Sequence, residues 1–205
     1  MPSITSHSPS SCADLRIDPC SDRSLAVLQL RARLPRPLVF THGVFDLLHA
    51  GHVHLLEQAR ACGASLVVGV RGDRSSRHLR KGPGRPFNAA QDRARIVAAL
   101  AGVSAAVLFD EDKPLALICG LRPDVVVRCD DPLRAEAADC ALLAEWGGRT
   151  IVVPRLHGAT TRALLDRLRP AAAMATMPAR AGQRDDGART VARSAATPFV
   201  QAAPA

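Results

Sequence analysis

The chain alternates short, continuously apolar runs with segments of helical periodicity, and this alternation constrains its fold more than any other feature. The apolar runs are rich in β-branched residues and lie at 38–40, 66–70, 106–109, 125–127 and 151–153. Helical spacing of apolar residues is found over 24–34, 53–63, 89–102, 114–120, 133–148 and 160–169. Strands that lack a polar face are buried on both sides, which is typical of a parallel sheet covered by helices.

Right-handed crossovers between such strands predict an α/β fold, a Rossmann-like, doubly wound, five-stranded parallel sheet. We expect one domain over residues 22–169. Residues 1–21 and 170–205 have no apolar period and are predicted to be disordered tails. Because ligands bind at the carboxyl ends of the strands in such sheets, the residues directly after each strand are the candidates for function.

Hydropathy along the chain predicts where the protein is located. No apolar stretch is long enough to cross a bilayer, and the N-terminus lacks the basic start and apolar run of a secretory signal, so we expect a cytoplasmic protein.

The cysteines form no CxxC pair and no zinc-finger spacing, so we expect free thiols and no metal site built by the protein. They are Cys12, Cys20, Cys62, Cys119, Cys129 and Cys140.

The net charge of +8 suits an anionic partner. That partner could be a phosphorylated small molecule or a nucleic acid. The chain shows neither an aromatic RNA-binding stripe nor a recognisable DNA-binding motif, and aromatic residues make up only 3% of it. We therefore do not expect it to bind nucleic acid.

An HxGH motif follows the first predicted strand and opens a helix at about Ala50. Its members are His49, Gly51 and His52, within the run THGVFDLLHAGHVHLLEQA at 41–59. Gly51 lets a phosphate approach the backbone, and the helix N-terminus offers unpaired N–H groups. Two imidazoles at this spacing are suited to donating hydrogen bonds to phosphate oxygens and stabilising a leaving pyrophosphate. His54 falls on another face of the helix, and the role of His42 is left open.

The run resembles the cytidylyltransferase-like branch of the HxGH nucleotidyltransferases, and the similarity covers roughly residues 36–169. This branch includes glycerol-3-phosphate cytidylyltransferase and the heptose 1-phosphate adenylyltransferase half of the bifunctional ADP-heptose synthesis enzyme, which this sequence resembles more. The resemblance implies that His49 and His52 are catalytic and that Asp46 orients the turn or contacts the acceptor. It also implies nucleotide or phosphate contacts by Thr41, Gly43, Phe45 and Gly51.

The segment after the second strand is similar to the heptose-type order of Lys-Gly, Arg-Pro-x-Asn and Arg. Here these are Lys81–Gly82, Arg85–Asn88 and Arg93. A basic loop of this kind neutralises phosphates through Arg forks and a Lys point charge. The resemblance implies a catalytic role for Lys81, a phosphate contact for Arg93 and a substrate contact for Arg85. Asn88 is predicted to cap the next helix.

The fourth strand is followed by RCDDP at 128–132, where heptose-type enzymes have Lys-Gly-Gly-Asp-Tyr. Arg128 matches the basic residue, implying a nucleotide contact, and Asp131 matches the acid, implying a substrate contact. Cys129, Asp130 and Pro132 depart from the pattern, which leaves the nucleobase and the acceptor open.

The fifth strand is followed by a segment that resembles the family's Gly-x-Ser-Thr-x, with Gly158, Thr160, Thr161 and Arg162 on the matching positions. Hydroxyls and free N–H groups at a helix N-terminus hold phosphate, so the last three are phosphate-binding candidates. A simple N-cap is the alternative, and the two roles are compatible.

The resemblance implies a nucleotidyltransferase that moves AMP from ATP to a sugar 1-phosphate of the heptose type and releases pyrophosphate. CTP with glycerol 3-phosphate or a related alcohol phosphate is the alternative, and a non-catalytic nucleotide-binding homologue is a further one. Mg²⁺ is expected to accompany the triphosphate, held largely by phosphate oxygens and water. The family often forms dimers, which leaves a homodimer open.

Overall fold

A computed structural model of the chain describes residues 22–79, 82, 84–129, 137–174 and 200–202. Seven helices are described within these ranges: α1 (Asp22–Arg33), α2 (Ala50–Ala61), α3 (Asp73–His78), α4 (Ala90–Ala98), α5 (Leu115–Leu121), α6 (Ala137–Ala144) and α7 (Thr161–Met174). The strands described there are β1 (Leu38–Gly43), β2 (Ser65–Arg71), β3 (Ala105–Phe109), β4 (Val125–Cys129), β5 (Arg149–Val153) and β6 (Val200–Ala202).

The strands form one sheet in the order β5-β4-β1-β2-β3-β6, in which the first five are mutually parallel. The Rossmann-like five-stranded parallel sheet predicted from the apolar runs is thus confirmed. From β1 the chain winds outward through β2 and β3, then returns to the other side of β1 for β4 and β5. The winding direction therefore changes between β1 and β4, which is where such sheets open a crevice for ligands.

Strand side chains alternate between two apolar cores, one on each face of the sheet. On one face Val39 packs with Leu56 of α2 and Val97 of α4. On the other face Phe40 packs with Ile118 of α5 and with residues of α1 and α6. Because both faces are covered, β1 to β4 have no exposed residue, which explains why their sequence shows no alternation. The edge strand β5 is less covered, and its Val152 is 60% exposed.

The C-terminal region differs from the predicted disordered tail in two places. The backbone of α7 continues through Pro170 to Met174, in a segment rich in alanine, the best helix former. Val200–Ala202 pairs antiparallel with β3, whose outer edge otherwise exposes backbone hydrogen-bonding groups. Three residues are too few for a strand to be recognised from periodicity.

The cysteines partly follow expectation. Cys62, Cys129 and Cys140 are free thiols, whereas Cys119 of α5 is disulfide-bonded, contrary to the prediction. Cys12 and Cys20 lie outside the described residues. Across the ranges that the structure describes, no helix is long and apolar enough to span a bilayer.

Gly63 follows α2, but it does not serve as the left-handed glycine that commonly ends a helix. The left-handed position at the end of a helix is the residue after the cap, here Gly63, and Gly63 is not among the described glycines with a positive φ. A Cβ on Gly63 would instead collide with the carbonyl oxygen of Pro37 and lie 2.6 Å from Cγ2 of Val39. The missing side chain lets the end of α2 lie directly against the start of β1.

We expect Gly63→Ala to lower the free energy of unfolding by about 1–3 kcal/mol, because the added methyl group forces a backbone shift in a packed region. Urea unfolding followed by circular dichroism measures this loss. Gly102→Ala is the matched control, since its Cβ would meet only the side chain of Arg60 at 3.7 Å, an ordinary contact. Equal stability of the two variants would contradict the packing argument.

Candidate active site

A cavity of about 360 Å³ opens at the carboxyl ends of β1 and β4, where the winding direction changes. It is lined by most of the predicted site residues. These are Gly43, Phe45, Asp46, His49, Gly51, His52, Arg85, Arg128, Thr160 and Thr161. The structure therefore brings together residues that follow four different strands.

The two histidines of the HxGH motif lie side by side at the start of α2. His49 precedes the helix in an extended conformation, and its carbonyl oxygen accepts a hydrogen bond of 2.8 Å from the amide of His52. Their imidazole rings stack with centroids 3.8 Å apart and an interplanar angle of 23°. Two positive rings at this separation would repel each other, so the arrangement disfavours protonation of both.

Burial sets the charge of His49. Removal from water lowers the pKa of its imidazole from 6.5, because desolvation disfavours the charged form. Its Nδ1 atom is buried and has no hydrogen-bond partner among the described residues. The ring is thus neutral in the free protein at pH 7, and one of its nitrogens is buried without a partner in the described part of the chain.

Phe45 supports His52 from below with an unusual backbone. It has a φ of 51°, in the left-handed region that bulky residues rarely adopt. Its ring is 98% buried and lies 5.2 Å from the ring of His52. A Cβ on Gly43 would come within 3.0 Å of the Phe45 ring, so this glycine makes room for the phenyl group.

Gly51 joins the HxGH turn to the segment that precedes α7. A Cβ at this position would lie 2.5 Å from the carbonyl oxygen of Ala159, so only glycine permits the contact. The sequence alone suggests a different reason for this glycine, which is the close approach of a phosphate. The contact places the start of α7 next to the HxGH turn, and Thr160 and Thr161 line the same cavity as the two histidines. Thr160 also caps α7, with its Oγ1 accepting a hydrogen bond of 3.1 Å from the amide of Ala163.

Asp46 anchors the loop that contains Arg85. Only 1% of its side chain is exposed. Its Oδ1 accepts hydrogen bonds from the amides of Phe87 at 2.8 Å and Asn88 at 3.0 Å, and its Oδ2 accepts one from Nε of Arg85 at 3.2 Å. The side chain of Asn88 donates to the carbonyl oxygen of Asp46 at 2.7 Å. The prediction that Asn88 caps α4 is wrong, because Ala89 holds that position.

Arg93 does not face the cavity. It is completely buried, and its guanidinium donates to the carbonyl oxygens of Val44 and Asn88 and to Oδ1 of Asp73. The expectation that it points at the cleft to hold a phosphate is therefore corrected. The arginine fastens the turn after β1 to the loop before α4.

The remaining predicted residues fall in three groups. Thr41 is 1% exposed, is not among the residues that line the cavity, and has an Oγ1 without a partner in the described part of the chain. Arg162 is exposed and does not line the cavity. Lys81 and Asp131 lie outside the described residues.

The sequence does not single out several residues of the cavity wall, and it leaves the role of His42 open. His42, Val127, Arg155 and Leu156 all line it. Arg155 and Leu156 directly follow the fifth strand, so the strand-end rule could have found them. The His42 ring is held between Phe40 and Phe109, with centroids 6.0 Å from each.

The described residues contain no cluster of three or more His, Cys, Asp or Glu side chains that could hold a metal ion. The carboxylate of Asp46 also lines the cavity, but its oxygens already accept hydrogen bonds from the protein. A metal ion in this cavity would therefore be bound by its ligand and by water more than by these residues.

Comparison with known proteins agrees with the geometry. The family described as cytidylyltransferase-like matches residues 40–157. D-beta-D-heptose 1-phosphate adenylyltransferase from Bordetella bronchiseptica is 50% identical over 137 residues, which cover 67% of this chain and 85% of that protein. Bifunctional protein HldE from Koribacter versatilis is 45% identical over 144 residues, and these cover 69% of this chain but 29% of HldE.

A solved structure shows the same fold. The lipopolysaccharide core biosynthesis protein from Thermoplasma volcanium superimposes with a TM-score of 0.50 and 28% sequence identity, covering 58% of this chain and 95% of that one. The resemblance drawn from the HxGH motif and the strand-end segments is thus confirmed. The family model matches most of the sheet, and one relative shares half of the aligned residues. This chain therefore belongs to the cytidylyltransferase-like family.

Proposed function

We propose that this protein transfers AMP from ATP to a D-heptose 1-phosphate and releases pyrophosphate. The observation that carries the proposal is the stacked pair His49 and His52, set in a cavity that also receives the N-terminus of α7. The half-identical relative named as a heptose 1-phosphate adenylyltransferase supports the choice of substrates.

The reaction requires little from the protein beyond positioning and charge stabilisation. A phosphate oxygen of the acceptor attacks the α-phosphorus of ATP, a new P–O bond forms, and the bond to the bridging oxygen of pyrophosphate breaks. The attacking oxygen is already anionic, so no general base is needed. The protein must hold two anions against each other in line and stabilise the charge that moves to the leaving group.

Different residues of the cavity supply the positioning and the charge stabilisation. The imidazoles of His49 and His52 donate hydrogen bonds to the phosphate oxygens on which charge accumulates. Thr160 and Thr161 present hydroxyls and first-turn amides of α7 to the triphosphate. Arg128 adds a fixed positive charge at the end of β4. We retain Lys81 as a proposed catalytic residue, Asp131 as a proposed substrate contact, and Thr41 and Arg162 as proposed phosphate contacts.

Magnesium is proposed as the companion of the triphosphate. Because the Asp46 carboxylate is occupied by the loop, phosphate oxygens and water would supply the ligands of the ion. Bound there, the ion would neutralise part of the phosphate charge.

Pyrophosphate release, assayed with ATP and CTP against a panel of phosphorylated acceptors, tests the proposal directly. We expect the fastest turnover with ATP and a D-heptose 1-phosphate. Preference for CTP with glycerol 3-phosphate would contradict it. Nucleotide binding without turnover of any pair would identify a non-catalytic homologue.

His52→Ala is expected to lower kcat by roughly 100- to 1000-fold, because it removes a donor aimed at developing charge. His54→Ala is the matched control, since it deletes an imidazole from the same helix that does not line the cavity. Circular dichroism confirms that both variants are folded. Equal activity of the two variants would show that the HxGH motif is not catalytic.

We expect His49 to take up a proton when the nucleotide binds. Burial holds the pKa of this imidazole below 6.5 in the free protein, whereas a neighbouring triphosphate favours the charged ring. The affinity for ATP should therefore rise as the pH falls towards that lowered pKa. Calorimetric titration with ATP in buffers of different ionisation enthalpy gives the number of protons bound. This number should be smaller in His49→Asn, and an unchanged number would contradict the linkage.

A further inference from the structure

Arg85 is held in the cavity wall with part of its guanidinium unused. Its side chain is 14% exposed, its Nε donates to Asp46, and its guanidinium carbon lies 5.9 Å from the centre of the Phe87 ring. Neither of its Nη atoms has a hydrogen-bond partner in the described part of the chain. Two parallel donors on a fixed arginine are the geometry that binds a phosphate through two of its oxygens.

Asp46 is unsuited to contact an anionic substrate itself. Its two carboxylate oxygens already accept three hydrogen bonds from the loop at 85–88, and 1% of its side chain is exposed. A phosphate brought against this carboxylate would be repelled. The carboxylate instead fixes the direction of Arg85, because a hydrogen bond through Nε orients the planar guanidinium and with it the fork between its two Nη atoms.

The topology assigns Arg85 to one of the two substrates. Thr160 and Thr161 follow β5, whereas Arg85 follows β2, and these two strands flank the β4–β1 pair on opposite sides. If α7 and the histidines hold the triphosphate, the Arg85 side of the cavity is left for the second anion. That anion is the phosphate that must approach the α-phosphorus, and it needs a cation to offset its repulsion by the triphosphate.

We propose that Arg85 binds the phosphate of the acceptor through its Nη atoms and that Asp46 is the positioning residue that aims it. This inference rests on the proposed transfer to a phosphorylated acceptor and adds how that acceptor is recognised. It moves Asp46 from a substrate contact, as the sequence suggested, to a positioning role.

Steady-state kinetics of the full chain test the proposal, with the nucleotide and acceptor that the wild-type protein turns over. Arg85→Gln should raise the KM for the acceptor roughly 10- to 100-fold and change the KM for the nucleotide by less than about threefold. Arg95→Gln is the matched control, because it removes one positive charge from an exposed position on α4. A larger effect of Arg85→Gln on the KM for the nucleotide would overturn the assignment to the acceptor.

A double-mutant cycle separates positioning from contact. Asp46→Asn keeps the shape of the side chain but loses the charge that holds Nε of Arg85, so it too should raise the KM for the acceptor. If Asp46 acts through Arg85, the double variant should be no worse than Arg85→Gln alone. Multiplication of the two effects would show that Asp46 contributes independently and would overturn its positioning role.

These results are distinguishable from failure of the proposed function. Absence of turnover by the wild-type protein contradicts the transferase assignment, and the inference about Arg85 with it. Turnover by the wild-type protein with an unchanged KM for the acceptor in Arg85→Gln contradicts only the inference.

Discussion

The buried carboxylate of Asp46 is the group on which the geometry of the cavity depends. An isolated anion so little exposed to water would be strongly unfavourable, and it is stabilised here by two amides and one guanidinium. All three donors belong to a loop about 40 residues further along the chain. Satisfying one charge therefore fixes that loop against the turn after β1, and Arg93 secures the same two segments from inside the protein.

The cavity combines fixed positive charges with neutral donors. Arg85 and Arg128 bring the positive charge of their guanidinium groups to its wall. His49 is neutral when the site is empty, because burial lowers its pKa, and the hydroxyls of Thr160 and Thr161 carry no charge. A site of this kind attracts phosphates with few positively charged side chains. Repulsion between those side chains therefore destabilises the protein little when no phosphate is bound.

The sequence predicts the parallel sheet and most of the cavity wall because both follow from local patterns. Unbroken apolar runs indicate strands that are buried on two faces. Because ligands bind at the carboxyl ends of such strands, the residues that follow them are the candidates for the site. What it misses depends on contacts between distant segments. The residues around Arg93 do not indicate that its side chain contacts the carbonyl oxygen of Val44. The contact between Gly51 and Ala159 joins residues 108 positions apart. The pairing of Val200–Ala202 with β3 is likewise invisible in so short a segment.

The backbone of Phe45 narrows the choice of residues at its position. Its left-handed φ favours glycine or asparagine, but the space beneath His52 calls for a large aromatic ring. Glycine would relax the turn and leave a void under the imidazole, and asparagine would bury an amide there. Neither substitution meets both demands, so we expect random mutagenesis with selection for activity to recover very few alternatives at this site.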